Sequence, residues 1–220
     1  MAKRRKTGSA TRDVPSHGRT AADRQATACS SISPGRPHWS PARPKASARR
    51  SRPALEIDDA EWRRYFETNV LTAVRTTRHY LPGMIGCSWG RVQNIASDSA
   101  VAIPAEMIHY GMSKTAFLAV SRGFAKEAAG TGVTVNSVIA GPTHPGGGED
   151  FVYGLVDPDL PWDEAQRAFM REYRPRSLLQ RLIEPEEIAH MVVYLSSSFA
   201  SATTGGALRV DGGYVDSILP

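Results

Sequence analysis

After Pro53 the chain alternates between two hydrophobic periods, and the alternation predicts its elements. Trp62, Phe66, Ala73, Val74 and Leu81 recur at roughly helical spacing up to Pro82-Gly83. Asp58 or Asp59 supplies an N-cap to this helix, with acidic residues favourable in its first turn. Gly90–Ser97 (GRVQNIAS) reads as a short strand. A second helix is expected from about Tyr110 to Ala129, stopped by Gly130-Thr131-Gly132. Val133–Ile139 (VTVNSVI) reads as a second, largely buried strand. A long loop rich in glycine and proline, Ala140–Pro161, leads to a helix near Trp162–Tyr173. Pro185 is a good first helical position; Glu186 and Glu187 suit the helix dipole, and Ile188, Met191, Val192 and Leu195 carry the helix on. Ala207–Val210 reads as a last strand, ending in Asp211-Gly212-Gly213. Strands alternating with helices argue an α/β fold with a parallel sheet.

Residues 1–53 follow neither period. They hold 13 Lys/Arg against 2 acidic residues, Asp13 and Asp23, whereas residues 54–220 hold 14 Lys/Arg against 20 Asp/Glu. The basic balance of the chain therefore belongs to its first segment. That segment has no Leu, Phe or Tyr, and it cannot bury enough apolar surface to offset the entropy of ordering it. The expected organisation is a disordered basic tail over 1–53 and a folded portion over 54–220. The two cysteines, Cys29 and Cys87, imply no disulfide framework, so reducing cytosol is the default compartment. No apolar run approaches a membrane span and no secretory apolar core follows the basic start, so a cytoplasmic protein with no membrane partner is expected.

Candidate chemistry centres on Tyr110-Gly111-Met112-Ser113-Lys114. Tyr110 and Lys114 are four apart on a predicted helix, so their side chains share a face. A nearby ammonium favours the phenolate and lowers a tyrosine pKa, and a tyrosine so tuned can exchange a proton with an alcohol or carbonyl oxygen. On spacing alone, a surface Tyr stacked on a Lys stem is by far the commoner reading of such a pair. Asn94-Ile95-Ala96-Ser97 ends the first strand, and Ser97 lies 13 residues before Tyr110. Asn69 sits in the earlier helix, Asn136 and Gly141 fall in VNSVIAGPT, and the chain closes on Leu208-Arg-Val-Asp-Gly-Gly.

This ordered set resembles the short-chain dehydrogenase/reductase family, over about Leu55 to Leu219. The resemblance implies a partial Rossmann-like doubly wound parallel sheet with flanking helices. It also implies hydride transfer between NAD or NADP and a small-molecule alcohol or carbonyl substrate. By resemblance Tyr110 is the general acid/base and also one of the cofactor-binding residues. Lys114 holds the nicotinamide ribose and depresses the Tyr110 pKa. Ser97 hydrogen-bonds the substrate oxygen, and Asn69 holds a water that relays protons to Lys114. Gly141 and Thr143 lie beside the nicotinamide carboxamide, although the threonine this family commonly carries two positions beyond Thr143 is here Pro145. Asn136 is expected to be structural. The segment Ala140–Pro161 and the helix after it occupy the family's lid position. Gly146-Gly147-Gly148 would make that lid mobile, and Phe151, Tyr153 and Trp162 would either line an apolar pocket or pack the lid down. The helices Asp59–Leu81 and Tyr110–Ala129 resemble those that pair subunits, implying a homo-oligomer, dimer or tetramer.

A complete member of that family opens with a strand, a glycine-rich turn and a helix that together hold the pyrophosphate. In residues 1–53 Gly8, Gly18 and Gly35 stand alone. The expectation is a chain that retains the second half of a doubly wound sheet, preceded by sequence read out of register and joined near Ala54. Three alternatives arise from the same features. The run Lys3-Arg4-Arg5-Lys6 suggests a nucleic-acid-binding arm, but a single Trp39 offers little base stacking, so nucleic acid is not the expected partner. An Arg- and Ser-rich transit peptide lacks its Leu/Phe stripe. A non-catalytic dimerising subunit would keep the paired helices without activity.

Overall fold

A computed structural model describes residues 54–144 and 149–218. The expected basic tail over 1–53 and the glycines at 146–148 lie outside the described residues.

Three strands make one parallel sheet in the order β1 (Gly90–Ser97), β2 (Val133–Ala140), β3 (Ala207–Val210). The register runs Gly90↔Val133 to Ser97↔Ala140 and Ser137↔Ala207 to Ala140↔Val210, so all three strands end level with one another. β2 is the central strand and is buried from Val133 to Ile139, as its near-continuous apolar run requires of a strand covered on both faces. The α/β class with flanking helices agrees with the sequence reading.

Helix α1 (Asp59–Tyr65) starts where the sequence placed it, with the Asp58 carboxylate accepting from the Glu61 amide at 2.8 Å. It passes through a π-helical turn, Phe66–Leu71, into α2 (Thr72–Gly86). The extra residue in a π turn rotates the next stretch of helix, so Val70 is buried while Phe66, expected in the core, is 42% exposed. Pro82 does not end α2 as the sequence suggested. Leu81, Met84 and Ile85 pack on Ala128, Val133 and Phe124, and this burial holds one more turn despite the missing proline N–H.

Helix α3 (Ile108–Glu127) begins two residues before Tyr110 and lies against β1 and β2. A buried polar chain ties the three together. Asn94 Nδ2 and the Ser137 hydroxyl both donate to Ser121 Oγ at 2.7 Å, and Ser121 donates to the Phe117 carbonyl at 2.8 Å. Every member has a partner, so the chain fixes the helix without an unmet polar group.

The segment after β2 is not wholly a loop, since α4 (Glu149–Tyr153) forms within it. With α5 (Trp162–Tyr173) it builds a separate apolar cluster of Val152, Ala165, Phe169, Met170 and Leu182, against which Tyr153 and Trp162 pack. Of the two readings offered for these aromatics, packing the lid down is the one Tyr153 and Trp162 follow. Phe151 is half exposed and meets Phe169 edge-on at 6.0 Å. α6 (Pro185–Ser196) closes the other side of the sheet, with Leu195 fully buried against Val138 and Ala200. Among the described residues no helix is long and apolar enough to cross a membrane.

Candidate active site

Parallel strands that end level leave a crevice at their carboxyl ends, where ligands of such sheets commonly bind. Ser97 is the last residue of β1 and pairs with Ala140, so Gly141 follows directly beside it. The turn after β3 comes closest of all: a Cβ on Gly141 would stand 2.5 Å from the Asp211 Cα. Gly141 is therefore required by packing, and its amide donates to the Val210 carbonyl at 3.0 Å. The Thr143 hydroxyl turns back to the Gly141 carbonyl at 2.8 Å. Asn136 is structural, as expected, with its side chain joining the Thr203 carbonyl and the Gly206 amide at 2.8 and 3.1 Å.

Tyr110 and Lys114 reach this crevice from the first turns of α3. The Lys114 ammonium lies 5.7 Å from the centre of the Tyr110 ring and donates to the Ile95 carbonyl at 3.0 Å. Burial brings the Lys114 ammonium down to about 8. Burial also pushes the Tyr110 phenol up. The neighbouring Ser97 hydroxyl opposes this, and the Asp98 charge and Tyr65 reinforce it. The expected depression of Tyr110 by Lys114 thus does not appear. The ammonium is turned to a β1 carbonyl, and desolvation of the phenol is the larger effect.

Asn69 sits inside the π turn and donates to the Ser113 hydroxyl at 2.8 Å, while Ser113 donates to the Tyr110 carbonyl at 2.7 Å. Ser113 is fully buried, so Asn69 anchors the turn of α3 that presents Tyr110. His109, adjacent in sequence, is buried. It packs edge-on against Tyr65 at 4.3 Å and Trp62 at 6.0 Å.

One member of the site escaped the sequence reading. Asp98 is buried, and its Oδ1 accepts from the Ser97 hydroxyl at 2.8 Å, the Ser99 amide at 2.7 Å and the Ser99 hydroxyl at 3.3 Å. Burial pushes its carboxyl up, and the hydrogen bonds and the field of Arg174 pull it down. A charged residue in the otherwise small-residue string Ala96-Ser-Asp-Ser-Ala100 was the available signal.

The chain matches the family described as enoyl-(acyl carrier protein) reductase over residues 45–215. It is 49% identical over 166 residues to an uncharacterized oxidoreductase, YvaG, of Bacillus subtilis, covering 75% of this chain and 63% of that protein. A second oxidoreductase of the same organism, YvrD, is 42% identical over 167 residues, covering 74% and 62%. The chain thus spans less than two thirds of the length of these relatives. Among solved structures, L-sorbose reductase from Gluconobacter frateurii, complexed with NADPH and L-sorbose, is similar with a TM-score of 0.68 at 28% identity, over 74% of this chain and 62% of that one.

Proposed function

This chain belongs to the short-chain dehydrogenase/reductase family, and from that premise we propose that it interconverts an alcohol and a carbonyl with Tyr110 as the general acid and base. The reading is carried by one observation: Ser97, Tyr110 and Lys114 converge from β1 and α3 on the carboxyl end of the sheet, beside Gly141.

In reduction the Tyr110 hydroxyl gives its proton to the substrate oxygen, and in oxidation it takes that proton back. Its raised pKa keeps it protonated near neutrality, ready to act as the acid. Ser97 fixes the same oxygen by a hydrogen bond and so orients the reacting carbon. Its hydroxyl donates to Asp98 at rest, so substrate binding requires that proton to swing from Asp98 to the substrate. Asn69 acts through Ser113 to hold Tyr110 in register.

The residues present fit the nicotinamide end of NAD or NADP. Among the described residues the Lys114 ammonium has one hydrogen-bond acceptor, the Ile95 carbonyl, which leaves two of its three donors for ribose hydroxyls. Gly141 and Thr143 flank the place of the carboxamide. A nicotinamide dinucleotide supplies the two electrons and the hydrogen exchanged with the substrate carbon. The similar L-sorbose reductase, complexed with NADPH, supports a cofactor of this class. Self-association through the stretch from α1 into α2 and through α3 belongs to the same reading, and Phe66 and Tyr80, 42% and 58% exposed, suit a covered face.

The first test is titration of NADH and NADPH against the purified chain, followed by nicotinamide fluorescence. Saturable binding is expected, and no binding up to millimolar concentration would leave a non-catalytic subunit as the reading. In a chain that binds, Tyr110→Phe should lower turnover by about 10²–10⁴-fold.

A further inference from the structure

The rim of this site carries two arginines that close no salt bridge among the described residues. Arg174 is the C-cap residue just past α5, and Arg176 follows two residues later. The segment docks on the turn after β3, where the Leu178 and Leu179 amides donate to the Gly212 carbonyl at 2.9 and 3.2 Å. It therefore sits at the same end of the sheet as Ser97 and Gly141. Both guanidinium groups approach the ring of Tyr214, at 5.9 Å for Arg174 and 5.0 Å for Arg176. Arg174 also lies 5.5 Å from the ring of Phe169, whose burial in the lid cluster fixes that side.

Four other arginines, Arg63, Arg64, Arg75 and Arg181, each hold a carboxylate at 2.6–3.3 Å. Among the described residues neither Arg174 nor Arg176 has an ion-pair partner. Tyr214 acts most on Arg176, through a side-chain hydrogen bond, and Asp98, the same carboxyl whose field reaches Tyr110, feels Arg174 and acts more weakly on Arg176. Asp98 is tied down by three donors at Oδ1 and does not come within ion-pair distance of either arginine. Asp216 acts on Arg176 as well, also without closing to a pair. A helix-capping role explains part of Arg174, because its Nη1 donates to the Tyr173 carbonyl at 2.7 Å and a cation suits a helix C-terminus. That contact uses one of five donors.

We propose that Arg174 and Arg176 bind an anionic group of the substrate, a carboxylate or a phosphate, so that the compound reduced or oxidised at Tyr110 is an oxo or hydroxy acid or its phosphorylated counterpart. A planar guanidinium presents paired N–H groups to such an oxyanion. The aromatic faces of Tyr214 and Phe169 hold the guanidinium groups in place before the anion arrives. This inference rests on the proposed site but not on turnover, and it is testable by binding alone.

Calorimetric titration of the full chain compares levulinate with methyl levulinate, and glycerol 3-phosphate with glycerol, at low and high salt. At least one anion should bind about 10-fold or more tightly than its neutral twin, with the preference shrinking as salt rises. The tighter of the two anions assigns carboxylate or phosphate. Arg174→Gln should abolish the preference, Arg176→Gln should reduce it, and Arg174→Lys should keep part of it, with melting temperature verifying that each variant folds. Equal affinity for acid and neutral twin, no anion binding to the folded chain at tens of millimolar, or a preference that survives in the double variant would each overturn the proposal. If NADPH fails to bind while the anion preference holds, the reaction reading falls and the anion site stands.

Discussion

At the scale of single residues, Lys114 is the group whose environment departs most from its sequence expectation. Its pKa of about 8, against 10.5 for an unperturbed lysine, comes from burial. The folded chain therefore holds this proton less tightly than the unfolded chain. The resulting penalty is complete below about pH 8 and is relieved as pH rises toward 10.5. Stability should rise through that window by about 1–2 kcal/mol after allowance for solvent screening, measured by urea unfolding at pH 7.5 and 10. Lys114→Met should remove the rise. In turnover the sign is opposite: loss of the ammonium above about pH 8 should lower the rate, and Lys114→Arg should move that limb to higher pH. Gly141 makes a sharper structural point. Gly141→Ala drives a methyl into the Asp211 backbone at 2.5 Å and should cost about 1–3 kcal/mol. A denaturation midpoint unchanged from the parent would contradict the close approach. Ser97, Tyr110 and Lys114 were named through the family resemblance rather than by spacing; Ser97 hydrogen-bonds Tyr110, and the Lys114 ammonium lies 5.7 Å from the Tyr110 ring. Asp98 was not legible, because an acid beside a strand end looks like any loop residue until burial is known.

Individual elements show where local signals suffice. α1 begins at the cap its sequence names, and α6 begins at Pro185 as expected, capped by Glu184. In α6 the Glu187 carboxylate reaches back to the Glu184 amide at 2.9 Å and also holds Arg181 at 2.7 Å. Arg181 keeps the Glu187 carboxyl down at about 2. Because this pKa is lowered on folding, the contribution is present above about pH 4.5 and is lost as pH falls toward 2. The pair is partly exposed, so Glu187→Gln should cost only about 0.5–1 kcal/mol at pH 7 and nothing at pH 2, read from thermal melts at both. The π turn at Phe66–Leu71 had no such signal. It depends on Val70 entering the core and on Asn69 reaching Ser113, forty-four residues away in sequence.

At the scale of the whole molecule, stability should be graded across the sheet. β2 is covered on both faces and bonded on both sides, whereas among the described residues β1 and β3 each have one strand partner. Amide hydrogen exchange should be slowest from Val135 to Ile139 and faster in β3, and the reverse order would refute this assignment of the core. Hydrophobic period, caps and turn glycines by themselves determined the order of helices and strands, the parallel α/β class and the shared face of Tyr110 and Lys114. These are local properties, set by residues a few positions apart. Tertiary structure decided the extension of α2 past Pro82, the burial of Asp98, the direction of the Tyr110 and Lys114 shifts, and the gathering of Arg174, Arg176 and Tyr214 at the rim. Each of these depends on which side chains exclude water from one another across long stretches of chain, and desolvation of that kind leaves no periodic trace in the sequence.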